Sequence, residues 1–167
     1  MADPTQFKQG MRRLASSVTV VTTLADDQPY GFSATSVTSV SADPAPVLLV
    51  CVSRSVSCHD KIRQSGSFCV NVLGECDIET ARLFSSPELR HRRFGTCAWR
   101  PLVTGAPALI NALANFDCRI RHATEVQTHT VFFGEVVHIE LRGQDVHPLV
   151  YANGEFGGIR SASPLCA

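Results

Sequence analysis

Three short stretches hold most of the side chains that could bind or transform a small molecule. The first is Ser33-Ala34-Thr35-Ser36-Val37-Thr38-Ser39-Val40-Ser41, with six hydroxyl side chains in nine residues, shortly after Gly31. Small hydroxyl residues let a backbone come close to a planar ligand, and they offer donors and acceptors to a ring edged with carbonyl and N–H groups. The same composition suits a polar loop or an edge strand. The second is Ser53-Arg54-Ser55-Val56-Ser57, at the passage from a strand pattern into a helix pattern. Hydroxyls, a guanidinium and the free N–H groups of a helix start can cradle a phosphate without a glycine-rich loop, or simply cap the helix. The third, Thr128-His129-Thr130, sets an imidazole at the start of a long β pattern, where it either meets a ligand or rests on the surface. Leu89-Arg90-His91-Arg92-Arg93-Phe94 is by itself a solvated basic face; beside a dinucleotide it could hold phosphates.

Several familiar chemistries have no residues to carry them. No Gly-x-Gly-x-x-Gly opens a helix after a strand, and the two lysines, Lys8 and Lys61, follow no phosphate loop. Gly-x-Ser-x-Gly is absent, and the Cys and His residues lack the paired spacing of zinc ligands, so no metal is expected.

The elements that must position these residues follow from pattern. Asp3-Pro4 caps a short helix with Phe7, Met11 and Leu14 on one stripe, ending near Ala15. The β-branched run 18–23 predicts a strand, 25–29 a turn, and 30–32 a return strand. Residues 46–53 are apolar on both faces, which predicts a central strand; Ser57 then caps a helix over 58–64. A strand over 68–73, a helix over 75–84 and a further helical turn over 87–93 come next. Residues 115–121 turn strand-like, 130–141 alternate with a period of two, and 149–151 form a last short strand before a loose end at 161–167. Strands outnumber helices and are not regularly separated by them. An antiparallel barrel with helices at its ends fits best.

Composition bounds the rest. The 167 residues, 44% hydrophobic and 18% charged, suit one domain over 1–167 with flexible ends at about 1–4 and 161–167. Fifteen basic residues balance fifteen acidic ones, which argues against nucleic acid or an anionic membrane as partner. Seven cysteines without a Cys-x-x-Cys pair suit reduced thiols in the cytoplasm. No apolar leader core is visible, and no run approaches the ~18 apolar residues of a membrane span.

Taken in order, the pieces resemble the flavin reductase family with the FMN-binding split-barrel fold, the reductase components of two-component flavin monooxygenases such as 4-hydroxyphenylacetate and phenol hydroxylases. The matching stretches are residues 7–14, Val18-Thr19-Val20-Val21-Thr22-Thr23, Gly31 to Ser36, Ser39-Val40-Ser41 with Pro44 and Pro46, and Leu48 to Val52. They go on through Phe68 to Leu73, Arg93-Phe94, Trp99, Gly105 to Leu109, Phe116-Asp117-Cys118, Thr128-His129, Gly134-Glu135-Val136 and Pro148 to Tyr151.

The resemblance implies a mainly β, antiparallel split barrel with a few short helices. It implies an NAD(P)H:flavin oxidoreductase that passes reduced FMN or FAD to a separate oxygenase, with NADH or NADPH as donor and a homodimer as the working form. Ser33, Ala34, Thr35, Ser36, Ser39, Val40 and Ser41 would border the isoalloxazine ring, and Ser53, Arg54, Ser55 and Ser57 would hold the flavin phosphate. Phe94 joins the cofactor-binding set; His129 would lie where the nicotinamide docks, with Tyr151 nearby. No protein acid or nucleophile is required, because the cofactors carry the hydride chemistry. Two other readings stay open: a flavoprotein that keeps its flavin and reduces a corrinoid or ferric complex, and a non-catalytic flavin or haem module. The chain departs from the family pattern at Ser33, where threonine is common, at Ala45 within a frequent Pro-Pro pair, and at Gln127, where glycine often stands.

Overall fold

The computed structural model describes residues 2–143 and 146–160. The expected loose end at 161–167 therefore lies outside the described residues. Helix α1 (Pro4–Met11) begins where the Asp3 carboxylate accepts hydrogen bonds from the N–H groups of Thr5 and Gln6. It stops at Met11, earlier than the apolar spacing predicts, and a turn carries the chain past Leu14. Its stripe covers no core: Phe7, Met11 and Leu14 are 65%, 49% and 58% exposed.

Strands β1 (Ser16–Ser17), β2 (Thr19–Ala25) and β3 (Gln28–Ala34) follow. Asp26 and Asp27, both at positive φ (51° and 56°), make the tight turn between β2 and β3 whose twist matches that of the paired strands. Next come β4 (Val37–Ser41), β5 (Val47–Ser53), α2 (His59–Ser65) and β6 (Ser67–Val72). A 3-10 turn at Glu75–Asp77 leads into α3 (Ile78–Ser85), and another spans Arg90–Arg92. Strands β7 (Trp99–Pro101) and β8 (Pro107–Leu109) pair with each other. The long hairpin of β9 (Ala114–Val126) and β10 (His129–Leu141) precedes β11 (Leu149–Ala152) and β12 (Glu155–Gly158), which join β1 in a small sheet.

The large antiparallel sheet has seven strands in the order β3-β2-β6-β9-β10-β5-β4. Its edges, β3 and β4, are consecutive in the chain, yet they pair with each other nowhere among the described residues. The sheet thus curls into a barrel left open along one seam, as the split-barrel expectation requires. Its interior is filled from nearly every strand by Val21, Phe32, Val50, Val52, Val70 and Phe132, with Ile62 of α2 packed in among them.

Three local readings of the sequence need correction. Strand β5 is not central: it lies beside the edge strand, with Val50 and Val52 buried and Val47, Leu49 and Cys51 only half-buried on the opposite face. The cap position of α2 is Cys58 rather than Ser57, and no side chain caps the helix. The alternation along β10 holds through Val136 and breaks at Val137, an extra residue between the Val136–Cys118 and His138–Asp117 pairs; a second register shift, at Phe133/Gly134, places its extra residue, Arg121, on β9. At Gly134 a Cβ would come within 2.5 Å of Phe68, so only glycine lets the strand press that closely on the core. Gly31 plays the same part for α3, since a Cβ there would stand 2.9 Å from Phe84, one of the buried residues of that helix.

Candidate functional site

Ser33 stands where two open cavities adjoin. The larger, about 510 Å³, is lined by Ser33, Ala34 and Thr35, by Tyr151 and Phe156, and by Arg82, Ser85 and Ser86 from the end of α3. The smaller, about 350 Å³, is lined by Ser33 and Ser85 again, by Ser55 and Ser57, and by Arg90 and Arg93. The two hydroxyl-rich stretches singled out in the sequence therefore reach one hollow, with Ser33 and Ser85 on the shared wall. A further depression of about 730 Å³ around Cys76, Arg142 and His147 shares no residue with these and presents no hydroxyl side chain.

The wall is built from polar groups already spent on the fold. The Ser33 hydroxyl donates to the Ala81 carbonyl at 2.7 Å, tying β3 to α3 while leaving its oxygen free to accept. The Ala34 carbonyl accepts from the Thr19 hydroxyl at 2.8 Å. Arg93, expected on a solvated basic face, is only 6% exposed. Its guanidinium donates to the carbonyls of Gly31 (2.6 Å), Ser86 (2.9 Å) and Leu83 (3.4 Å) and lies over the Phe84 ring. Burial pushes its pKa below the ordinary guanidinium value. Phe94 lines neither cavity; it packs against Phe84 and Trp99, with ring centroids 5.3 and 5.1 Å away.

Thr35 and Ser36 form the link between β3 and β4, and neither N–H donates to a backbone carbonyl among the described residues. Both are exposed at the seam, where a ligand can take those donors. The Ser36 hydroxyl donates to the Cys51 carbonyl at 3.0 Å. Ser39, Val40 and Ser41 continue on the edge strand and line neither cavity; the Ser41 hydroxyl donates to the Ala45 carbonyl at 3.4 Å.

In the second stretch, the Ser53 hydroxyl accepts from the Ser55 N–H at 3.3 Å, and Ser55 and Ser57 are exposed at the small cavity. Arg54 is held elsewhere. Its guanidinium donates to the Gln127 carbonyl at 2.6 Å and stands 3.7 Å from the Glu125 carboxylate, while its N–H donates to Thr128. The tip of the β9–β10 hairpin thus offers this side chain a carbonyl and a carboxylate at once. Arg90 also lines the small cavity, and unlike that of Arg93 its guanidinium has no hydrogen-bond or ion-pair partner among the described residues.

His129 opens β10, is exposed, and pairs in register with Ser53; its Nδ1 lies 2.9 Å from the Thr128 hydroxyl. Gln127 at the tip has φ of 53°, a left-handed conformation that glycine adopts without strain. Tyr151 lines the large cavity with Phe156 tilted against it at 5.3 Å. Among the lining residues that escaped the sequence reading are Arg82, Ser85, Ser86 and Phe156. The serine pair carried a signal, two hydroxyls at the end of an apolar helix pattern; Arg82 and Phe156 carried none.

Residues 11–160 match the family model described as flavin reductase like domain. The chain belongs to the flavin reductase like family. It is similar to the FMN reductase (NADH) RutF of Stutzerimonas stutzeri, with 36% identity over 156 residues, 93% of this chain and 88% of that one. Its fold matches BorF, the flavin reductase component of a bacterial two-component tryptophan halogenase, with a TM-score of 0.86, 33% identity, and coverage of 96% and 100% of the two chains. It also matches the NADH:FAD oxidoreductase SgcE6 of Streptomyces globisporus in complex with NAD and FAD fragments (TM-score 0.85, 30% identity, 100% and 99% covered).

A flavin fits the residues present. The hollow is of ligand size, has hydroxyls and unspent N–H groups on one side and aromatic rings on another, and carries Ser55, Ser57 and Arg90 at one end. Among the described residues no helix is long and apolar enough to cross a membrane.

Proposed function

We propose that this flavin reductase oxidises NADH or NADPH, reduces a flavin held at the barrel seam, and releases it to a separate oxygenase. The observation that carries the reading is the shared wall at Ser33, which puts a ring-sized, hydroxyl-edged cavity beside a cationic one. Bound flavin supplies the acceptor for the nicotinamide's hydride. The chain's own residues bind and orient. The N–H groups of Thr35 and Ser36 and the Ser33 oxygen meet the polar edge of the ring, where donors also favour the added negative charge of the reduced form. Ser55, Ser57 and Arg90 take the phosphate by hydrogen bonds and charge. His129, beside Ser53, meets the nicotinamide side of the complex, and Tyr151 with Phe156 closes the hollow against water. Both cavities are open, which suits an exchangeable flavin with affinity on the order of micromolar, about −8 kcal/mol.

The working form in this reading is a homodimer. On the outer face of β5 and β10, Val47, Leu49, Cys51, Val131 and Phe133 make a half-exposed apolar patch, and a second copy of the same patch would cover it. Ser39, Val40 and Ser41, on the strand beside this patch, would then approach the flavin from the partner's direction. The chain acts as one domain in the cytoplasm, in keeping with the unpaired state of its six described cysteines.

The test is steady-state oxidation of NADH and NADPH with FMN, FAD and riboflavin. Ser57→Ala combined with Arg90→Ala should weaken FMN about tenfold and riboflavin, which lacks the phosphate, hardly at all. Equal losses for both would remove the phosphate assignment; no oxidation with any flavin would remove the reading itself.

A further inference from the structure

His59, the first residue of α2, is buried at 4% exposure, although its ring carries two polar atoms. Its Nε2 lies 2.8 Å from the Thr130 hydroxyl, and its Nδ1 lies 2.7 Å from the Asp60 carboxylate. An ionised carboxylate only accepts, so Nδ1 carries a proton and donates to Asp60, while Nε2 and the Thr130 hydroxyl share the second hydrogen bond. Thr130 is fully buried, and its hydroxyl has no other partner among the described residues. The imidazole also packs against Phe132, with centroids 5.7 Å apart.

The two ends of this bridge adjoin residues of the proposed site along the chain. Ser57 precedes His59 by two residues, and His129 immediately precedes Thr130. Because side chains alternate along β10, burying Thr130 turns His129 outward. The pairing of His129 with Ser53 and the bonds from Arg54 to Thr128 and Gln127 join the same two segments at the surface; the His59–Thr130 bond joins them in the interior. No side chain caps α2, and β10 begins just after a hairpin tip whose Gln127 is held at positive φ. A buried hydroxyl and ring nitrogen that satisfy only each other cannot move apart without leaving both unpaired. That makes the bridge a stiff link between the serine turn and the histidine.

We propose that His59 is a positioning residue for the reductase reaction: its hydrogen bond to Thr130 sets where His129 stands relative to the phosphate turn. The inference rests on the reading that His129 meets the nicotinamide. It assigns His59 no contact with flavin or NADH.

The test combines Thr130→Val, which keeps the shape and removes the hydroxyl, with Thr130→Ser, which restores it, each alone and with His129→Ala. Thr130→Val should raise the NADH KM about threefold to tenfold while FMN affinity stays within about twofold, and Thr130→Ser should return the KM to normal. In the His129→Ala background, Thr130→Val should change the NADH KM no further. A merely structural role would instead lower FMN affinity, turnover and melting temperature together, equally in both backgrounds, and would overturn the inference. So would an unchanged KM in Thr130→Val when His129→Ala alone raises it. An unchanged KM in His129→Ala overturns the reading of His129 itself. Should Thr130→Val fail to fold, His59→Phe, which keeps the ring packing on Phe132 and removes both nitrogens, makes the same comparison.

Discussion

Arg93 and Arg54 are both guanidinium groups bonded to backbone carbonyls within one candidate site, and they do opposite work. Arg93 is buried in the wall of the small cavity and satisfies three carbonyls from β3 and the end of α3. Arg54 is half-exposed at the rim and joins one carbonyl and one carboxylate of the β9–β10 hairpin tip. A buried cation bonded through each of its three nitrogens is costly to disturb, because each orphaned carbonyl keeps its desolvation penalty. An exposed one trades its partners for water at little cost. The wall therefore sets the shape of the hollow, and the rim sets only how the hairpin lies against the serine turn.

The sharpest way to break that contrast is at the wall. Arg93→Met keeps the apolar stem over Phe84 and removes the donors of all three hydrogen bonds. It should cost about 3–4 kcal/mol of unfolding free energy, read from urea titration, and flavin affinity should fall with it. A loss below about 1 kcal/mol would mean that the wall holds its shape without the guanidinium.

The same contrast explains what could be read from the chain. The barrel was legible because the β-branched run 18–23, buried on both faces, and the alternation over 130–136, buried on one, both carry the strand signature. The serine stretches were legible because hydroxyls cluster there beyond what turns need. Arg93 was not, since a run of Arg and His looks solvated until the fold folds one member inward; only the absence of a nearby acid in 89–94 hinted that carbonyls would be its partners. Strand β5 misled for the converse reason. Apolar residues on both faces predict a central strand, yet here the outer face is half-exposed, a pattern that a second copy would make sensible. Strand β12 has only Phe156 as a large apolar residue, so no alternation announced it, although Asn153-Gly154, at φ of 52° and 91°, is the residue pair that a tight hairpin turn demands.

At the rim, the first change is a gain. Gln127 holds a left-handed conformation that costs a non-glycine residue about 1 kcal/mol. Gln127→Gly should relieve most of it, although glycine also loses more freedom on folding. The melting temperature should rise by about 2–4 °C, with the carbonyl still in place to accept from Arg54. A fall in melting temperature would show that the Gln127 side chain does more for the tip than its backbone costs.

The smallest effect belongs to Arg54, and it separates the two guanidinium groups most cleanly. The side chain sits within the serine turn by sequence, which suits a phosphate ligand, but its donors are taken by Gln127 and Glu125. Arg54→Ala should move the melting temperature by less than about 2 °C. It should weaken FMN and riboflavin equally, by no more than about twofold, because the phosphate in this account is met by Ser55, Ser57 and Arg90. A selective loss of FMN would mean that the ligand draws Arg54 off the hairpin. The rim would then be a responsive part of the site rather than a scaffold for His129, and the distinction between the two arginines would not survive flavin binding.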